Sequence, residues 1–326
     1  MDCCCFWIGL IRRIGLISHM SGKWKFLLTF GLLTTLVVWL TVFSISSSKF
    51  KIVACDVGQG DASLVVYKDF EILIDGGPGN RVLDCLSDHM PFWDRTLEIV
   101  ILTHPQADHY TGLISVFERY KVEKFLANSL DAGSQTYSLL KNQVLDGGTE
   151  VVNATTGTGI RSGMIYLDIV HPSENFLAEN LTYSNTDSMQ NESETGVLGA
   201  SDSTLDPNEF SITALLSFGS FNFLFTGDAG TEILDNLALT LQEKGINSVN
   251  YIKVPHHGSR YSISEKMYEI LRGGVATISV GKNSYGHPHG ETLKILDEKE
   301  IKTFRTDKDG DIVVITDGKR MWIGEK

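Results

Sequence analysis

Three short segments carry side chains able to hold a metal ion. "LTHPQADHYTG", residues 102–112, contains His104, Asp108 and His109; "FTGDAG" contains Asp228; "VPHHGS" contains His256 and His257. Imidazole and carboxylate together suit borderline divalent cations such as zinc or manganese. Such an ion lowers the pKa of bound water from about 15.7 toward about 7, which yields a nucleophile at neutral pH. The chemistry so suggested is hydrolysis. Each segment alone says little. A lone His is commonly a satisfied polar residue, Asp228 reads equally well as the cap of a following helix, and "HHGS" as a polar turn. Their shared context carries more.

Each segment follows an apolar run. His104 follows "IVIL", Asp228 follows "FNFLFTG", and the histidine pair follows "YIKV". Strand ends fix catalytic groups while loops leave them accessible. "KIVACDV" and "ASLVVYK", split by "GQGD", read as strand–turn–strand, and "FEILIDGG" as a strand ending at Asp75. "HYTGLISVFERY" has helical spacing, and "KVEKFLAN" reads as a further strand. The alternation continues through "MIYLDIVHP", "SITALLSF", "FNFLFTGD" and "VNYIKVPHHG", with helices expected near 231–244, 264–271 and 291–299. Then come "VATISVG" and the closing strands "KTFRT" and "DIVVITD". The class is layered α/β. Residues 184–208, rich in Ser, Asp and Glu, read as a flexible acidic loop.

The chain has 326 residues, 42% of them hydrophobic, which supports a sizeable core. Its formal charge is −12; residues 1–49 carry five basic residues against Asp2 alone, a net +4, so the remainder carries −16. A body that acidic does not bind polyanions through its overall field, so any nucleic-acid contact has to be local and metal-assisted. The apolar run at residues 26–46 has the length of a transmembrane anchor, and Lys23 and Lys25 before it place residues 1–25 in the cytoplasm and residues 50–326 outside. A cleaved signal peptide is the rival reading, although its apolar core is usually shorter, about 7–15 residues. Cys3, Cys4 and Cys5 cluster together, and Cys55 and Cys85 stand apart; no disulfide framework emerges from that spacing.

"HPQADH", "FTGDAG" and "VPHHGS" in this order resemble the metallo-β-lactamase fold. "DVGQGDASLVV", "ILIDGG", "LTHPQADHYTG", "GDAG", "VPHHGS", "SYGHPH" and "FRTDKDGDIVVITDG" narrow the resemblance to the C-terminal hydrolase domain of ComEC-type competence DNA-uptake proteins. It covers about residues 50–326, while one apolar segment stands where that family has a polytopic channel. The resemblance implies a four-layer αββα sandwich behind a single transmembrane segment. Carried over by position, His104, Asp108, His109, Asp228 and His256 fall on metal ligands. Gln106 stands where a second His is expected, and Asn208 and Ser211 are the nearest polar residues for a missing middle one. One firm metal and one weak or substrate-dependent metal are therefore expected, zinc or manganese.

Asp108, His257 and His287 are the catalytic candidates: Asp108 to orient or deprotonate the water, the two histidines to contact a phosphate or protonate the leaving oxygen. Asp56, Asp61 and Asp75 are expected to support the ligands by accepting backbone or imidazole N–H bonds. A cleft lined by Lys253, Arg260 and Lys282 would offset the acidic charge. The resulting expectation is a single-pass, extracytoplasmic, metal-dependent phosphodiesterase or nuclease acting on DNA, single-stranded DNA foremost. A separate channel protein would be the partner for any role in uptake, and no feature specifies an oligomeric state. Hydrolysis of an amide, thioester, lactam or small phosphodiester is one alternative; a non-catalytic metal-binding module is another.

Overall fold

The computed structural model describes residues 21–45, 49–183, 198–271 and 273–324. The chain divides into one unit up to Ser47 and another from Ser48 onward. In the first, α1 (Gly22–Ile45) has no acidic residue, and its stretch Gly22–Leu40, of mean hydropathy 1.4, is long and apolar enough to cross a membrane.

The second unit runs β1 (Phe50–Ala54), β2 (Ser63–Val66), β3 (Glu71–Ile74), α2 (Arg81–His89), β4 (Thr96–Ile101), α3 (Ala107–Arg119), β5 (Lys121–Ala127), α4 (Gln135–Asp146) and β6 (Glu150–Asn153). It continues through β7 (Gly159–Ser162), β8 (Ile165–His171), α5 (Glu174–Asn180), β9 (Thr182–Tyr183), β10 (Ser201–Asp202), β11 (Thr213–Phe218), β12 (Phe221–Phe225) and α6 (Thr231–Glu243). It closes with β13 (Tyr251–Lys253), α7 (Glu265–Ile270), β14 (Val275–Ile278), α8 (Gly290–Glu298), β15 (Lys302–Arg305), α9 (Thr306–Asp309), β16 (Ile312–Thr316) and β17 (Met321–Gly324).

Two large sheets form, in the orders β17-β16-β1-β2-β3-β4-β5-β6 and β15-β14-β13-β12-β11-β8-β7, beside the two-stranded pair β10-β9. Strand alternation makes the layers. Ile72 and Ile74 of β3 enter the inter-sheet core with Phe50, Phe218 and Phe223, whereas Leu73 faces outward to Val82, Leu86 and Leu113 on helices. On the far side Leu224 and Ile252 pack against Leu234 and Leu241 of α6 and Met267 of α7. The order is helix, sheet, sheet, helix, as the resemblance implied.

Two expectations need revision. Residues 184–197 of the presumed acidic loop lie outside the described residues, but its end is built into the fold: Ser201 and Asp202 pair with Tyr183 and Thr182, and Pro207–Phe210 is a turn of 3₁₀ helix. Cys55 and Cys85, which spacing left unpaired, form a disulfide between the end of β1 and α2, 30 residues apart. Closing a loop of that size contributes about 3–4 kcal/mol. Cys55→Ser and Cys85→Ser are each expected to lower the melting temperature by roughly 10 °C. Differential scanning calorimetry with and without reductant checks this, since reductant should lower the wild type to the variants and leave the variants unmoved.

A buried acid lies at the start of β3. Glu71 is fully buried near Glu98, Asp94 and Asp69, and its backbone N–H donates to Glu98 Oε2 at 2.7 Å. Burial, and then the neighbouring carboxylates, push its pKa up to about 9. The folded state thus holds the proton more tightly than the unfolded chain. Its contribution is whole below the ordinary Glu range and is lost as pH rises toward 9, by at most about 1.4 kcal/mol per pH unit. Glu71→Gln should leave urea midpoints nearly unchanged at pH 4 and raise them increasingly at pH 7 and pH 9; a pH-independent difference would refute the assignment.

Candidate metal centre

The centre forms where parallel strands from both sheets end. β3 runs parallel to β4, and β12 to β13 and β14, so their C-terminal ends gather Asp75, His104, Asp228, the histidine pair and Ser279 at one edge. A backbone bond from Ile212 N–H to Thr103 O, 2.8 Å, ties the two sheets there. The first turn of α3 is pressed onto the loop after β3: Gly76 N–H donates to His109 O at 2.7 Å, and Gly112 N–H to Gly77 O at 2.9 Å. A Cβ at Gly112 would lie 1.9 Å from Gly76 O, so only glycine permits this approach. The approach holds Asp108 and His109 above Asp75.

Three imidazoles point the same way. His109 Nδ1 donates to Asp75 Oδ2 at 2.9 Å, and Thr103 donates its N–H and its hydroxyl to Asp75, both at 2.8 Å. His257 Nδ1 donates to Ser279 O at 2.9 Å. His104 Nδ1 lies 3.1 Å from Thr103 Oγ1 and 3.4 Å from Ser211 Oγ. With every Nδ1 engaged, the Nε2 atoms face carboxylates: Asp228 Oδ2 is 3.5 Å from His109 Nε2 and 3.6 Å from His257 Nε2, and Asp108 Oδ2 is 3.3 Å from His257 Nε2. His104 Nε2 and His109 Nε2 are buried without a hydrogen-bond partner. Outer partners that lock Nδ1 and leave Nε2 free are what metal-binding histidines require. Ligand atoms of His104, His109 and Asp228 lie within 4.8 Å of one another, as do those of Asp108, His109 and His257.

The electrostatics agree. Burial alone would depress His257, yet Asp228, Asp61 and the hydrogen-bonded Asp108 raise it to about 10. Burial is likewise overcome at His109, where Asp228 and Asp75 raise the pKa well above the imidazole range. Asp228 is held well below the carboxylate range despite its burial by His109, His257 and Lys253. The carboxylates outnumber the cations and draw positive charge inward. A divalent ion with neutral imidazoles fits that demand. His104 is the exception: burial and the adjacent His109 lower it to about 3, leaving a neutral ring ready to ligate.

The remaining candidates are placed as follows. His256 and His257 both have positive φ, 49° and 54°, and this turn sends His257 inward and His256 to the mouth. His256 Nε2 stays 4.0 Å from Asp228 Oδ2, and its ring lies 5.5 Å from that of His287. His257 Nε2, 3.6 Å from Asp228 Oδ2, thus lies nearer the carboxylate than His256 Nε2, on which the carried-over position fell. Gln106 caps α3 without a side-chain capping bond. The hydroxyl of Ser211 accepts Asp228 N–H at 3.1 Å and meets His104 on its Nδ1 side, so it supports both residues from behind. Asn208 is buried; its N–H donates to Asp206 Oδ1 at 3.0 Å and its carbonyl accepts Ser211 N–H at 3.1 Å. His287 Nδ1 is buried without a partner, and its loop is pinned by Asn283 Oδ1, which accepts His287 N–H at 3.1 Å.

Asp75 and Asp61 lie beneath the imidazoles as expected, but Asp56 does not. It pairs with Arg81 at 2.7 Å and accepts Gly58 N–H at 3.3 Å. Lys253, expected in an open cleft, is only 3% exposed and lies against Asp61. Arg260 stacks its guanidinium on the exposed Tyr261. Thr103 and Ser279 O, which hold the imidazoles from behind, were passed over by motif reading, and Lys253 was read as a cleft cation when it is buried. A lysine inside the apolar run "YIKV" was the available signal.

The sequence model of the Metallo-beta-lactamase superfamily matches residues 55–282. ComE operon protein 3 of Bacillus subtilis is 22% identical over 335 residues, covering 94% of this chain and 38% of that protein. Recombination protein 2 of Haemophilus influenzae is 24% identical over 273 residues, covering 82% of this chain and 29% of that protein. The chain thus spans well under half the length of these curated relatives. Among solved structures, the metallo-beta-lactamase fold protein YhfI from Bacillus subtilis aligns with a TM-score of 0.50 at 11% identity, over 82% of this chain and all of that one.

Proposed function

Because the chain belongs to the metallo-beta-lactamase superfamily, with relatives of the ComEC type, we propose that it is a membrane-anchored, outward-facing, metal-dependent phosphodiesterase acting on DNA, single strands foremost. The observation that carries the hydrolase reading is the convergence of Asp108, His109, Asp228 and His257, with Nε2 atoms aimed at carboxylate oxygens. These four side chains would hold the firm metal, zinc or manganese; His104 and Asp228 offer a weaker second position. The choice of DNA rests on the ComEC-type resemblance. The disulfide supports placement outside the cytoplasm, since such bonds persist in oxidising compartments.

When bound, the ion supplies Lewis acidity and a water of lowered pKa. Asp108 is one-third exposed and held to about 2, against its burial, by the hydrogen-bonded His257 and by His109. It remains ionised at any working pH and orients the attacking water. His256 and His287 face the open side and meet the phosphate there. Burial, then His256 and His257, lower His287 to about 4, so it is neutral at pH 7 and serves as a hydrogen-bond partner, not as the proton source.

A second reading, hydrolysis of a less anionic substrate, is favoured by one feature. A groove of about 710 Å³ lined by Asp206, Glu209 and Glu232 would repel a polyanion. The residue 49–326 fragment, metal-stripped and reloaded with zinc or manganese, should cut a labelled single-stranded oligonucleotide, and Asp108→Ala should abolish cutting. Metal binding without cutting, alongside turnover of nitrocefin or a thioester, would transfer the assignment to the second reading.

A further inference from the structure

Lys253 ends β13 directly beneath the cluster. Its Nζ donates to Gly227 O at 2.9 Å, lies 3.3 Å from Asp228 Oδ1, and makes an ion pair with Asp61. Asp228 Oδ1 also accepts His256 N–H at 3.2 Å. That oxygen is therefore occupied by an ammonium and an amide, and Oδ2 alone faces the Nε2 atoms of His109, His257 and His256. Behind the cluster, the cavity bounded by Asp61, Asp75, Thr103, Gly227 and Lys253 measures only about 10 Å³, room for no more than a single water.

The charges sharpen the point. Asp61, Asp75, Asp108 and Asp228 are all buried or half-buried, and Lys253 is the fixed cation among them. One divalent ion leaves this group at −1, and a second would carry it to +1. The second position is poor in donors as well. Gln106 is neutral, and the Ser211 hydroxyl already accepts Asp228 N–H.

We infer that Lys253 is a built-in counter-ion: it takes one oxygen of Asp228 out of metal coordination and limits the centre to one tightly held divalent ion. The inference rests on the metal-dependent reading above and names the residue that sets its stoichiometry. Lys253 acts through Asp228 and does not itself touch substrate, so it is a positioning residue.

The test is metal content and chelator-competed zinc affinity of the full chain in detergent, read without any activity assay. The wild type should retain one equivalent after dialysis. Lys253→Met should bind a second equivalent at least about tenfold more tightly, and Lys253→Arg should stay at one. Should Lys253→Met fail to fold with Asp61 left unpaired, Asp61→Asn tests the opposite sign, because the unbalanced ammonium should weaken the first equivalent at least about tenfold. A second-ion affinity within twofold of wild type in Lys253→Met, or an unchanged first equivalent in Asp61→Asn, overturns the inference. Absence of any bound metal in the wild type would instead remove the reading beneath it.

Discussion

Asp228→Asn is expected to bind zinc at least about 100-fold more weakly than the wild type and to lose phosphodiester hydrolysis by a factor of about 10³ or more. The substitution keeps the shape and removes the charge. Its amide would be oriented by what surrounds it: Lys253 Nζ and His256 N–H both point at the Oδ1 position, 3.3 and 3.2 Å away, and both demand an acceptor there. The amide oxygen therefore turns inward. Its NH₂ group is left facing His109 Nε2 and His257 Nε2, where the carboxylate offered Oδ2. A donor in that position coordinates nothing. The backbone support is untouched, since Asp228 N–H still donates to Ser211 Oγ. Far-ultraviolet circular dichroism should thus match the wild type, while competition against a chelating dye reads the lost affinity. Zinc binding within threefold of wild type would show that Asp228 is not a ligand.

What the sequence made legible was the frame. The run "LEIVILTH" became β4 with His104 just beyond it, and the helices expected near 231, 264 and 291 begin within one residue of those positions. Local patterning sufficed there because each element buries its own apolar stripe. Contacts between distant segments were not legible. Cys55 and Cys85 are each buried among apolar neighbours, and only the packing of α2 on the first sheet brings them together. Lys253 read as a cleft cation because lysines are rarely buried; its partner Asp61 lies on the other sheet's turn, and nothing local announces the pair. Asp56 and Asp61 flank the same "DVGQGD" turn, yet one faces Arg81 and the other the cluster. Turn geometry decides that difference, and residue type does not.

The histidine pair shows the same limit and gives the sharpest test. Positional carry-over assigned the last ligand to His256, whereas the left-handed backbone at both residues turns His257 inward. Such conformations are costly for side chains other than glycine and persist where the surroundings hold them. Here the following Ser259 N–H donates to His256 O at 2.9 Å, and the His257 ring is clamped between Ser279 O, Asp108 and Asp228. His257→Ala is therefore expected to cost at least about 100-fold in zinc affinity. His256→Ala should leave affinity within about threefold and lower turnover by roughly 10²-fold, if its partly exposed ring contacts substrate beside His287 as proposed. Isothermal titration of both variants with zinc, beside cleavage rates at saturating metal, separates the two roles. If His256→Ala loses the metal and His257→Ala keeps it, the first histidine of the pair is the ligand and the turn opens on binding. If the losses fall as stated, the inward residue is the ligand, and two adjacent identical side chains owe their different tasks to two φ angles.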